Sequence, residues 1–146
     1  MGDISKDIKS SFKSNKVKAL INIKYTSNWL NSKEVDFFKP YGLSPQQYNI
    51  LRILRGAGKP MKAQVVKERM IDRAPNTTRM MDKLLDKSLI SRYRCDHDRR
   101  VVYIEVTNKG LSLIEEISKN TQLEFLERIT EKEAELLSDI LDKIRG

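Results

Sequence analysis

Thr77-Thr78-Arg79-Met80-Met81-Asp82-Lys83-Leu84-Leu85, Leu89-Ile90-Ser91-Arg92-Tyr93-Arg94-Cys95 and Val101-Val102-Tyr103-Ile104-Glu105-Val106 are the runs that decide the fold. The first repeats as a helix does. Met81, Leu84 and Leu85, with Thr77 and Thr78 one turn back, make a packing face, while Asn76, Arg79, Lys83 and Lys87 recur every three or four residues on a polar face. The period then drops to two. Val102, Ile104 and Val106 share one side of a strand, and Val101, Tyr103 and Glu105 share the other. Asp96-His97-Asp98-Arg99-Arg100 joins the two β-rich runs, so the pattern predicts a hairpin with a charged tip directly after a polar-faced helix.

Outward from this centre the pattern is helical. Val17, Leu20, Ile21, Tyr25, Trp29 and Leu30 form one stripe of a helix from about Asn15 to Phe38, which Pro40 and Gly42 end. Ser44-Pro45-Gln46-Gln47 restarts a helix: Ser44 suits the N-cap, Pro45 the first helical position, and Gln47 completes a capping box. Pro60 to Met70 reads as a short helix with Ala63, Val65, Val66 and Met70 inward, and Ile71-Asp72-Arg73-Ala74 connects it to a helix from Pro75 to Lys87. Downstream, Thr107 caps a long helix reaching about Ile129, and Thr130 with Glu133 makes a second capping box for Glu131–Ile144. This order is that of a winged helix-turn-helix flanked by extra helices. The fold class is mainly α with a small β-hairpin wing. One domain, 1–146, divides into a lobe at 43–107 and flanking dimerisation helices at 1–38 and 108–146.

The 146-residue length fits one domain. Cys95 is the lone cysteine, so no disulfide framework is available. The longest stretch without a charged side chain, Pro40 to Leu51, is too short and polar to cross a bilayer. Asp3, Lys6, Asp7 and Lys9 occupy the place where a signal peptide needs an apolar run, so the expectation is a cytoplasmic protein with no membrane partner. Charge is uneven: ten Lys/Arg face four Asp/Glu in residues 1–58, twelve face six in 59–100, and six face ten in 101–146. A basic first two-thirds points to a polyanion, or to a chain that is Lys-rich throughout; charge alone does not separate the two.

Leu43-Ser44-Pro45-Gln46-Gln47-Tyr48-Asn49-Ile50-Leu51 resembles the helix leading into the DNA-binding lobe of MarR-type (multiple antibiotic resistance regulator) transcription factors. Thr78-Arg79-Met80-Met81-Asp82-Lys83-Leu84 with Leu89-Ile90-Ser91-Arg92 is similar to that family's recognition helix and first wing strand. Asp98-Arg99-Arg100 and Ile104-Glu105-Val106-Thr107-Asn108-Lys109-Gly110 match its wing signature and the start of the next helix. The resemblance covers Leu43 to Gly110. It departs at Pro75, unusual so near the start of the recognition helix, and at Ser88, where the family usually has a helix-ending Gly.

Reading DNA requires side chains that reach base edges and cations for phosphates. Asn76 and Arg79 suit base edges, Thr77 and Thr78 a phosphate or thymine methyl, and Lys83 and Lys87 the backbone. The plain alternative is a solvated helix face, against which the adjoining charged hairpin weighs. At the wing, the resemblance implies that Arg100 enters the minor groove while Asp98 holds its guanidinium. Arg99 is the alternative tip, and a surface Asp98–Arg100 pair of little consequence is the plain reading. His97 fits a wing-tip residue near phosphate better than a metal ligand, and no metal or cofactor is expected. Cys95 reads as a buried or half-buried strand residue, and Gly56-Ala57-Gly58-Lys59-Pro60 as a turn without phosphate-loop spacing. The family's effector cleft, between dimerisation helices and lobe, makes Tyr25, Asn28 and Trp29 candidates to line a site for a small aromatic effector. Against that, Trp29 at helical spacing is more often plain core.

The expectation is therefore a homodimeric transcriptional regulator, a repressor of double-stranded DNA at a palindromic operator, released by an effector. Leu111, Ile114, Ile117, Leu123, Leu126, Leu136, Leu137, Ile140, Leu141 and Ile144 are too many apolar positions for two helices packed only on a small lobe, and Ile4, Ile8 and Phe12 extend the same interface. An architectural, non-specific nucleic-acid-binding protein is the alternative. No paired nucleophile and base, nucleotide loop or metal cluster supports an enzyme.

Overall fold

The computed structural model describes residues 2–73, 75–120 and 123–146 and resolves into two compact units, 1–114 and 115–146. The boundary falls inside a helix and not at the edge of the lobe, because within one chain the N-terminal helices cluster with the lobe. Ala74 of the expected connection, and Thr121 and Gln122 of the expected long helix, lie outside the described residues.

In the first unit a single turn, α1 (Ile4–Asp7), precedes the long α2 (Asn15–Phe38). Asp3 caps α1 through Ser5 N–H and pairs with Lys18 of α2 at 3.0 Å, and Ile4 is buried. Ile4 is therefore spent within its own chain, which corrects its expected place at a dimer interface. Phe38 stacks on Tyr48 with centroids 4.5 Å apart, so the end of α2 is fastened to the next helix by aromatic packing. A 3₁₀ turn (Lys39–Tyr41) and left-handed Gly42 separate α2 from α3 (Pro45–Ala57). The capping box is formed as expected: Gln47 N–H donates to Ser44 Oγ at 3.1 Å, and Ser44 N–H to Gln47 Oε1 at 3.0 Å.

After α3 come β1 (Met61–Lys62), α4 (Ala63–Arg69), α5 (Thr77–Asp86), β2 (Ile90–Arg94), β3 (Val102–Val106) and α6 (Asn108–Lys119). The wing is a three-stranded antiparallel sheet in the order β1-β3-β2, one strand more than the predicted hairpin. Met61 and Lys62 pair with Ile104 and Tyr103, in a segment the sequence places within a helix; two residues are too short to carry a readable alternation. Ile50, Leu51 and Leu54 of α3, Val66 of α4, Leu84 of α5 and Ile104 of β3 are all 0–1% exposed and form the core beneath α5. Burial of each contributes about 1.5–3 kcal/mol.

The joint between α5 and the wing sets the whole lobe. Lys87 ends α5, Ser88 follows at φ 58°, Ser88 N–H donates to Leu85 O at 2.8 Å and Leu89 N–H to Leu84 O at 3.0 Å. This is a Schellman ending with Ser where Gly is usual, and buried Leu84 and Leu89 supply its apolar clasp. Three contacts lock the turn: Thr107 Oγ1 donates to Ser88 O at 2.7 Å, Thr107 N–H to Leu89 O at 3.1 Å, and Lys109 Nζ to Lys87 O at 2.9 Å. Thr107 Oγ1 also accepts from Gly110 N–H, capping α6. A Cβ at Gly110 would stand 2.3 Å from Leu89 O, so only Gly lets α6 start against this turn.

In the second unit the expected helix to Ile129 is interrupted: α6 stops at Lys119 and a separate 3₁₀ segment covers Glu124–Arg128. Ser118 Oγ and Asn120 Nδ2 donate to Glu115 and Glu116 carbonyls, satisfying a helix end from its own side chains. The final helix, α7 (Glu131–Arg145), begins at the predicted capping box, with Glu133 N–H on Thr130 Oγ1 and Thr130 N–H on the Glu133 carboxylate.

Ser88→Gly should raise stability by about 0.5–1 kcal/mol, since it removes a left-handed strain of roughly 1–2 kcal/mol and gives part of that back as unfolded-chain entropy. Gly110→Ala should cost about 1–3 kcal/mol by overpacking against immovable backbone. Urea unfolding of both variants measures this. The Thr130 N–H and hydroxyl hold the Glu133 carboxyl below its ordinary value. Its stabilising effect is therefore complete above the ordinary glutamate pKa and lost as pH falls through the lowered folded value. Helicity by circular dichroism should fall on acidification, and Glu133→Gln, which can keep the cap, should remove that component of the titration.

Candidate nucleic-acid interface

The helix α5 starts at Thr77, two residues later than the sequence implies, because Pro75 and Asn76 form a turn with Asn76 at φ −94°, ψ 19°. Asn76, Thr78, Arg79 and Lys83 are exposed, as expected of a reading face. Thr77 is only 3% exposed and joins Met81 and Leu84 in the core, so it is corrected to a packing residue and leaves the contact set.

The wing tip is a turn closed by Val101 N–H on Asp98 O at 2.9 Å and Cys95 N–H on Val101 O at 3.0 Å. Asp98 Oδ1 accepts the backbone N–H of Arg100 at 3.0 Å. No ion pair among the described residues joins Asp98 to Arg100, so Asp98 shapes the turn that carries Arg100 and does not grip the guanidinium. A side chain two residues away reaches the backbone N–H more readily than a long exposed guanidinium. Asp98, Arg99 and Arg100 are all exposed, and Cys95 is half-buried.

An ion pair that sequence reasoning missed bridges the two elements: Arg92 Nη1 of β2 donates to Asp82 Oδ1 of α5 at 2.7 Å. Each residue sits in an otherwise unremarkable charged run, and only the turn at Ser88 brings them together. Beside Arg92 a crevice of about 150 Å³, lined by Ala63, Lys67, Thr78, Met81, Arg92 and Ile104 among others, lies between α4, α5 and the sheet. Lys87 Nζ donates to Gly42 O, so this lysine of the polar face is engaged within the lobe.

Tyr25 and Trp29 are 43% and 39% exposed and Asn28 is exposed; Lys33 Nζ lies 5.8 Å from the Trp29 ring. Trp29 is therefore not core within the chain, and Tyr25, Asn28 and Trp29 line neither that crevice nor the larger cavity of the lobe. A cavity of about 630 Å³ lies instead against the end of α2 and the start of α3, lined by Val35, Lys39, Leu43, Ser44, Lys83 and Lys87 among others. No helix among the described residues is long and apolar enough to cross a membrane.

Comparison with known proteins fits this geometry. The family described as transcriptional regulator SarA/Rot matches residues 35–117, from the end of α2 through the wing into α6. The chain is 28% identical over 107 residues to the HTH-type transcriptional regulator MhqR of Bacillus subtilis (strain 168), covering 71% of this chain and 73% of MhqR. Among solved structures, a MarR transcription factor from Planctomyces limnophilus is 28% identical with TM-score 0.69, over 92% of this chain and 98% of its own. A mutant MarR from E. coli, complexed with operator DNA, has the same fold: TM-score 0.75 at 21% identity, over 93% of this chain and 100% of its own. The helix with its exposed arginine, the left-handed turn and the charged wing are thus those of a DNA-binding transcriptional regulator: this chain belongs to the SarA/Rot family, with the winged-helix fold of MarR-type regulators.

Proposed function

We propose that the protein is a homodimeric, sequence-specific repressor of a palindromic operator, in which Arg79 reads the major groove and the Asp98–Arg100 wing the minor groove. The observation that carries this reading is the pairing of an exposed Arg79 on a helix with a firmly joined, three-arginine-flanked wing (Arg94, Arg99, Arg100) on the next two strands. An arginine fork matches the paired acceptors of guanine, and a guanidinium suits the negative potential of a narrow minor groove. Asn76, exposed ahead of α5, is the second base-edge candidate, with Thr78 and Lys83 serving phosphates.

Dimerisation is supported by exposed apolar surface. Val17, Leu20, Tyr25 and Val35 on α2 are 43–51% exposed, and Leu136, Leu137, Ile140 and Ile144 on α7 are 47–61% exposed. Two recognition helices about one DNA turn apart need such a scaffold. For an effector, the cavity lined by Lys39, Lys83, Asp86 and Lys87 among others supports a small polar ligand better than the exposed Tyr25, Asn28 and Trp29 do.

Selection of bound sites from random DNA tests the reading. A half-site palindrome is expected, and a uniform pool would favour the architectural alternative. Arg79→Ala should relax preference at one or two positions, each worth about 1–3 kcal/mol. Arg100→Ala should weaken binding while leaving the major-groove preference intact, and if it binds like the parent, Arg99 takes the role. Light scattering after size exclusion should give a dimer at micromolar concentration, and Leu136→Glu with Leu137→Glu should shift it toward monomer.

A further inference from the structure

We infer that Asp82 and Arg92 form a strut that fixes the spacing between the two DNA-reading elements, so that Asp82 strengthens DNA binding despite its negative charge. The inference rests on the DNA-reading roles proposed for Arg79 and Arg100. Its basis is the distribution of contacts between α5 and the wing. At the C-terminal end of α5, Thr107 and Lys109 bind the carbonyls of Ser88 and Lys87, and the Leu84–Leu89 clasp is fully packed. Along the face between α5 and the wing packing is incomplete: a crevice of about 150 Å³ opens between Thr78, Met81 and Leu85 of α5, Ala63 and Lys67 of α4, and the sheet. A void on one side of a helix–sheet contact leaves its lining atoms without partners, so packing alone gives little resistance to a change of angle there. Arg92 lines this crevice, and its 2.7 Å contact with Asp82 ties the sheet to α5 beside it.

The strut has the right placement to matter. Asp82 follows Arg79 by three residues and so lies one turn along the same helix. Arg92 sits in the middle of β2, in register with Ile104 of β3, the strand that returns from the wing tip. The pair therefore links the turn of α5 next to the major-groove reader with the ribbon whose tip holds Arg99 and Arg100. Both side chains are about half exposed, at 44% and 48%, so the pair contributes little to overall stability. Its effect lies in geometry: two contacts on one half-site bind together only if their separation matches that of the grooves.

Electrostatics alone makes the opposite prediction. Asp82 is a carboxylate on a helix facing a polyanion, and deleting it should tighten DNA binding. As a strut, Asp82→Ala should weaken binding to the selected operator about fivefold or more with little change in urea midpoint. Arg92→Ala should weaken it as well, and the double variant should be no worse than Arg92→Ala alone. Arg92→Lys, which keeps a cation within reach of Asp82, should recover part of the loss. A second measurement separates positioning from a local fold defect: the losses from Arg79→Ala and Arg100→Ala should be coupled in the parent and additive in the Asp82→Ala background. Binding by Asp82→Ala that equals or exceeds the parent, at the same salt, overturns the strut. So does an Asp82→Ala loss that simply adds to that of Arg92→Ala. A parent that selects no sequence overturns the DNA-reading roles themselves, which is a distinct result.

Discussion

One left-handed residue holds the architecture together. The Ser88 turn sends the chain from α5 directly into β2, and its carbonyl receives the hydroxyl of Thr107 at the far end of the same hairpin. The polar-faced helix and the wing both hang from this knot: the helix leaves it in one direction and the wing in another. Serine at such a φ costs roughly 1–2 kcal/mol, and the structure tolerates it because the three contacts from Thr107 and Lys109 over-determine the turn. Gly110 belongs to the same knot, since α6 can begin there only without a side chain between it and Leu89.

The interface also shows how cations divide between structure and recognition. Lys87 of the basic middle and Lys109 just beyond it both donate to backbone carbonyls, of Gly42 and of Lys87. Arg92 is committed to Asp82. Arg79, Lys83, Arg99 and Arg100 enter none of the ion pairs among the described residues, which leaves them available to phosphates and bases. Counting positive residues therefore overstates the number of cations free to contact a polyanion directly.

Local signals made much of this legible from sequence. Helix α2 spans the predicted Asn15–Phe38, both capping boxes form, and the hairpin strands lie where the alternation changes phase, because caps and periodicity depend on residues a few positions apart. Non-local features were hidden. Strand β1 is defined by its pairing with β3 and not by Met61 and Lys62 themselves. Thr77 stands on the packing face and yet carries a hydroxyl that suits a phosphate, and only its 3% exposure decides between the two. Asp82 and Arg92 become partners only through the Ser88 turn. Trp29 has a spacing that says "buried" without saying in what, and one chain leaves it exposed. The exposed polar face at Asn76, Arg79 and Lys83 was legible because a helix with one apolar stripe dictates what remains outside.

The pairing of β1 has a kinetic consequence. α5, β2 and β3 follow one another in the chain, so their contacts close short loops and can form early, whereas Met61 must find Ile104 across the whole of α4, α5 and β2. Loop-closure entropy makes that the late event in assembly. With two residues and one neighbouring strand, β1 is also the first part of the sheet to open under native conditions, and its amides should exchange with solvent while those of β3 that face β2 remain protected. The wing is thus a hairpin in its folding and a three-stranded sheet only once folded.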